Sequence, residues 1–213
     1  MSSAMGEAVV YVHGLWMSGG ESLLLRRRLL REFGLEVHAF RYAAAAAMAE
    51  ITTGLEGFVS RLRATRLHFI GHSLGGLVIY RFLERFPQQP PGRVVFLGTP
   101  AVASRAAVEA SHIRLVASLM GKSVADELLQ PRQRRWHSDH PLGIIAGTQP
   151  LGFGQLLARF DEDCDGTIGV SETQLPGATD HITLPVSHLG MLVSAQVARA
   201  TGAFLRDGRF SLR

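Results

Sequence analysis

"FIGHSLGGLVIY" (69–80) is the stretch on which the reading of the fold turns. An apolar run enters Gly71-His72-Ser73-Leu74-Gly75, a G-x-S-x-G pattern, and an amphipathic run leaves it. The five-residue pattern alone says little, because chance supplies roughly one sixth of a match in a chain of this composition. The flanks carry the weight. A strand leading in and a helix leading out place Ser73 on a sharp turn, a nucleophile elbow. Small residues two positions before and after it let strand and helix approach closely. The Ser73 hydroxyl is then expected to project above the sheet edge, with the N-terminus of the new helix aimed at it.

Outward from this turn, short apolar runs alternate with amphipathic ones. Strands are expected at 8–13, 35–40, 67–71, 93–99, 143–148 and 181–186. Helices are expected at 21–34, from Ala43 to about Arg63, at 74–86 and at 189–205. In the last of these, Leu189, Leu192, Val193 and Val197 keep the spacing of one buried face. Continuous rather than alternating apolar strands between helices predict an α/β protein. Its central sheet is mostly parallel, of about six strands, with helices on both faces. The stretch from Pro100 to Pro141 breaks the rhythm and reads as an excursion over the C-terminal edge of the sheet, a candidate small lid. Leu115, Leu119, Met120 and Trp136 are candidates for an acyl groove there, with plain packing on the sheet as the stronger reading.

At 213 residues the chain fits one domain, 1–213, able to bury a core without staples. It is 46% hydrophobic and 19% charged, as in ordinary globular proteins. The 22 Lys and Arg against 18 Asp and Glu leave a formal +4. Arg26, Arg27, Arg28 and Arg31 form one basic cluster and Arg132, Arg134 and Arg135 another, but no groove-reading motif accompanies them, so no nucleic-acid partner is expected. The single Cys164 excludes an intrachain disulfide and a thiolate metal cluster, and its flanking aspartates disfavour a thiolate. "MSSAMGEAVVYVHG" (1–14) has neither a basic start nor an apolar core of a secretory signal, and no apolar run approaches a membrane span. A cytoplasmic protein is the expectation.

A serine hydroxyl attacks only when a base takes its proton and a further group holds that base. His13-Gly14 at the end of the first strand places the backbone N–H of Leu15 near the elbow. With the N–H of Leu74 it would form an oxyanion hole. Trp16 and Met17 follow and are candidates to line a substrate pocket, with ordinary core packing as the competing reading. His188, directly after the last strand, is the candidate base. The acid is sought between Ser73 and His188, among Asp139, Asp161, Asp163, Asp165, Glu172 and Asp180. One of these stretches has a second reading. "DEDCDGTIGVSE" (161–172) carries Asp at loop positions 1, 3 and 5, Gly at 6 and Glu at 12, the pattern of an EF-hand calcium loop. The Pro176-Gly177 pair and the β-type run behind it leave no exiting helix, which counts against calcium.

"VHGLW" (12–16), "IGHSLGGLV" (70–78), "LGTP" (97–100), "DGTIGVSET" (165–173) and "PVSHLGM" (185–191) together resemble, in the same order, blocks of the α/β-hydrolases. Within these, they are most similar to small lipase- and esterase-like members with a minimal core, and the resemblance spans roughly residues 8 to 206. It implies an α/β-hydrolase fold and a Ser-Asp-His triad of Ser73, Asp165 and His188. The implied reaction is cleavage of a small-molecule carboxylic ester through an acyl-serine, which needs no organic cofactor; no metal ligand is assigned, and whether Asp161 and Asp163 hold a cation that braces the loop stays open. Thioesterase and acyltransferase chemistry on the same triad remain open, as does a silent binding module of the same fold.

Overall fold

A computed structural model of the chain describes residues 6–43, 45–101, 134–151 and 162–210. Within these residues a six-stranded sheet, all parallel, has the order β2-β1-β3-β4-β5-β6. The strands are β1 (Glu7–Val12), β2 (Val37–Phe40), β3 (Arg66–His72), β4 (Val94–Leu97), β5 (Leu142–Gly147) and β6 (Asp180–Leu184). The helices are α1 (Leu23–Phe33), α2 (Met48–Leu62), α3 (Leu74–Arg85) and α4 (Ala195–Asp207). The expected class and strand number hold.

Successive side chains of a strand point to opposite faces, so a strand covered on both sides must be apolar throughout. β1 meets that condition. Val10 and Val12 join Leu55, Phe69, Leu77, Phe82 and Phe96 in a core shared with α2 and α3. Val9 and Tyr11 join Leu25, Leu29, Ile70, Val197 and Phe204 in a second core shared with α1 and α4. Two cores on two faces make the sheet the middle layer.

The strand order reverses between β1 and β3: the chain runs from β1 out to β2, then back to β3 on the other side. At such a switch point the loops leaving adjacent strands diverge and open a crevice beyond the C-terminal ends of the strands. The loop after β1 carries His13 to Leu15, and the turn after β3 carries Ser73.

Several boundaries differ from expectation, among them the start of α2 at Met48 rather than Ala43, and two have a clear local reason. β6 stops at Leu184 because Pro185 has no N–H for the ladder. The final helix begins at Ala195 rather than Leu189. Gly190–Leu192 form a 3-10 turn, and Ser194 then takes an extended backbone, its side chain accepting from Val197 N–H at 3.3 Å as an N-cap. Leu192 and Val197 are buried as expected, but Leu189 and Val193 lie exposed, because the helical period does not run through them.

Leu115, Leu119, Met120 and most of the excursion at 100–141 lie outside the described residues. Trp136 is buried, edge-on to Phe96, and donates from Nε1 to the carbonyl of His140 at 2.8 Å. It is a core residue rather than groove lining. Among the described residues no helix is long and apolar enough to cross a membrane.

Candidate active site

Ser73 has φ 54° and ψ −125°, a conformation that a residue with a Cβ adopts only under constraint. The constraint is visible. Ser73 N–H donates to the carbonyl of Leu97 on β4 at 2.9 Å, and its own carbonyl accepts from Gly76 N–H and the Thr99 hydroxyl, each at 3.0 Å. The flanking glycines explain the pattern. A methyl group built on Gly71 would lie 2.5 Å from Gly76 Cα, and one on Gly75 would lie 2.1 Å from the Val12 carbonyl oxygen. Strand, turn and helix approach too closely for any side chain at either place.

Asp165 lies in the connection between β5 and β6, and His188 in the loop after β6. Both are buried. His188 Nδ1 and Asp165 Oδ2 are 2.6 Å apart, and His188 N–H donates to the Asp165 carbonyl at 2.9 Å. The carboxylate is held from its other side, since Oδ1 accepts from Thr167 N–H at 2.9 Å and Ile168 N–H at 2.7 Å. A carboxylate accepts only, so Nδ1 of His188 carries the proton and Nε2 is left as the basic lone pair. The ring packs against the end of β4: a methyl on Gly98 would sit 2.8 Å from Asp165 Oδ2 and 3.0 Å from His188 Nδ1.

The loop after β1 borders the same turn. A methyl on Gly14 would lie 3.1 Å from Ser73 Cβ. His13 Nε2 is 3.3 Å from Tyr42 N–H, which makes Nε2 an acceptor and leaves the proton on Nδ1. Nδ1 then donates to the Gly14 carbonyl at 2.8 Å. Burial lowers the His13 pKa and so favours this neutral form. Because the Gly14–Leu15 peptide is trans, a carbonyl turned to the His13 ring turns the Leu15 N–H the other way. Glu21 braces the far side of the loop, accepting from Ser18 N–H, Gly19 N–H and the Tyr11 hydroxyl.

No protein-family model and no curated protein matches this sequence. Solved structures do match over nearly its whole length. One is a meta-cleavage product hydrolase of Pseudomonas fluorescens, 12% identical, with 96% of this chain and 92% of that one covered and a TM-score of 0.67. Others are carboxylesterase CesB of Bacillus subtilis (15%, 97% and 85%, TM-score 0.59) and the RedJ thioesterase of Streptomyces coelicolor (13%, 93% and 84%, TM-score 0.59). The chain has the α/β-hydrolase fold.

On that fold, Ser73, Asp165 and His188 follow β3, β5 and β6, all at the C-terminal edge of the sheet. The other acids lie elsewhere or are otherwise engaged. Asp180 opens β6 at the opposite edge and accepts from His181 N–H and Phe210 N–H. Asp139 and Asp163 are exposed. Glu172 accepts from Gly169 N–H within its own turn at 3.0 Å. Asp161 lies outside the described residues. Among the described residues no group of carboxylates, histidines or cysteine converges on a cation site. Leu74 opens α3, where the first N–H groups of a helix have no intrahelical acceptor. Leu15 is half-buried against the α2–α3 core and Met17 against the α1–α4 core. Trp16, at φ 57°, is 61% exposed.

Two residues around the site are not among those to which the sequence assigns a role. His72 is wholly buried with its ring 4.7 Å from that of His188, and Nε2 lies 3.0 Å from the His188 carbonyl. Tyr42 stacks on His13 at 4.2 Å and donates its hydroxyl to the His13 carbonyl at 2.8 Å. For His72 the only signal was its place beside Ser73; for Tyr42 there was none.

Proposed function

We propose that this chain is a serine hydrolase that cleaves carboxylic esters through an acyl-serine intermediate. The observation that carries the reading is the 2.6 Å contact between His188 Nδ1 and Asp165 Oδ2, set at the sheet edge where Ser73 occupies a constrained elbow. His188 Nε2 takes the Ser73 proton as Oγ bonds to the ester carbonyl carbon. Asp165 fixes the tautomer and stabilises the imidazolium that results. The N–H groups of Leu15 and Leu74 receive the oxyanion, the first oriented by the His13-held carbonyl of Gly14. Collapse of the tetrahedral species breaks the C–O bond, and His188 returns the proton to the departing alcohol. Water activated by the same nitrogen then releases the acid and restores Ser73. Trp16, on the loop bordering Gly14, would meet the substrate at the rim rather than in a deep pocket.

A thioester substrate is the second reading, favoured by the fold likeness to the RedJ thioesterase. The test is hydrolysis of p-nitrophenyl butyrate beside butyryl-thiol esters, by the wild type and by Ser73→Ala. The reading predicts ester turnover that vanishes in the variant. Turnover of thioesters alone would move the chain to the second reading, and ester turnover that survives Ser73→Ala would refute both.

A further inference from the structure

His188 is held through three groups. Its ring Nδ1 and its backbone N–H both go to Asp165, while its backbone carbonyl accepts from His72 Nε2 at 3.0 Å. The two Asp165 bonds orient the ring but tie it to another loop. The His72 bond reaches the strand that bears the nucleophile: His72 ends β3, and Ser73 is the next residue. Nucleophile and base are therefore linked by one covalent step and one hydrogen bond, anchored in the middle of the sheet.

We infer that His72 is a positioning residue, whose Nε2–H donor sets the distance from the His188 imidazole to Ser73. The inference rests on the assignment of Ser73 and His188 given above. A carbonyl only accepts, so the proton of His72 must sit on Nε2 and Nδ1 is a bare lone pair. Among the described residues that buried Nδ1 has no hydrogen-bond partner, and it lies beside the Gly14 backbone, where a methyl would be 3.3 Å away. An orphaned buried acceptor is costly and is normally removed from a core. Its presence here indicates that the other nitrogen is what the site uses. The titratable groups facing His72 are His188, Asp165 and His13, and burial followed by the neighbouring His188 lowers its pKa to about 3. His72 thus remains a neutral donor while His188 gains and loses its proton.

The test separates the donor from the bulk of the ring. A Gln amide nitrogen reaches the place of His Nε2, whereas an Asn amide nitrogen falls at the place of Nδ1. We expect His72→Phe and His72→Asn to lower kcat about tenfold with KM nearly unchanged. His72→Gln should stay within about threefold of wild type. Rates are divided by the acyl-serine burst amplitude, so that only folded, competent protein is counted. The inference is overturned if His72→Phe keeps kcat within twofold, or if Gln and Asn fall together. Should the Phe variant fail to fold, the Gln–Asn contrast still decides. Ser73→Ala, run alongside, reports on the underlying assignment separately: activity surviving there defeats the site, whatever His72 does.

Discussion

Two buried histidines stand four residues apart on the same strand, and they are satisfied differently. His68, near the start of β3, accepts Arg93 N–H on Nδ1 at 3.0 Å and meets Glu7 with Nε2 at 3.3 Å. Glu7 in turn pairs with Arg206 of α4. Both of its ring nitrogens have partners, and the network joins the N-terminal edge of the sheet to the helix layer. His72, at the other end of β3, has one nitrogen without a partner among the described residues and sits beside Ser73 in a constrained backbone. His68 is built for satisfaction and His72 tolerates a deficit, as expected where chemistry rather than stability sets the requirement.

The sharpest way to break this contrast is at the C-terminal edge. Ser73→Ala should lower kcat by a factor of about a million while leaving the melting temperature at or above that of wild type. A variant that lost stability and activity together would place Ser73 with the structural residues. Asp165→Asn should cost about ten-thousand-fold in kcat. The Asn oxygen still accepts from Thr167 and Ile168, but its amide faces His188 Nδ1 and forces the unproductive tautomer. Full activity in that variant would return the acid's role to another carboxylate.

At the N-terminal edge the effects should fall on stability alone. His68→Phe strands the Arg93 N–H and should lower the melting temperature by about 3–8 °C with kcat within twofold of wild type. The pH dependence follows from sign. Burial depresses both His68 and His72 below the ordinary imidazole value of 6.5. Below that pH the unfolded chain binds protons that the folded chain refuses, so the stabilisation is complete above pH 6.5 and declines as pH falls toward the folded values. The melting temperature should therefore drop between about pH 6.5 and pH 4.5, less steeply in His68→Phe. A flat profile would contradict the buried neutral imidazoles. The smallest expected effect is that of calcium. Both Asp165 oxygens are committed, so added calcium or a chelator should move the melting temperature by less than about 1 °C.

What could be read from the sequence was what is written locally. The Gly71–Gly75 pattern and its flanks are adjacent in the chain, and the apolar runs report directly on a sheet covered on both faces. The acid stayed divided between two readings because "DEDCDGTIGVSE" satisfies a calcium pattern residue by residue. The backbone turns Thr167 N–H, Ile168 N–H and the His188 ring onto the Asp165 carboxylate, and that support for the acid is not visible in the sequence. His72 and Tyr42 were illegible for a similar reason: their partners lie 116 and 29 residues away. The start of α4 was misplaced because Leu189 and Val193 continue the apolar period that the Ser194 cap interrupts.

The most direct measurement is to treat the protein with a fluorophosphonate, digest it, and locate the adduct by mass spectrometry. We expect a single phosphonylated residue, Ser73, lost from His188→Ala at equal exposure. An adduct on another serine, or Ser73 labelled equally fast without His188, would contradict it.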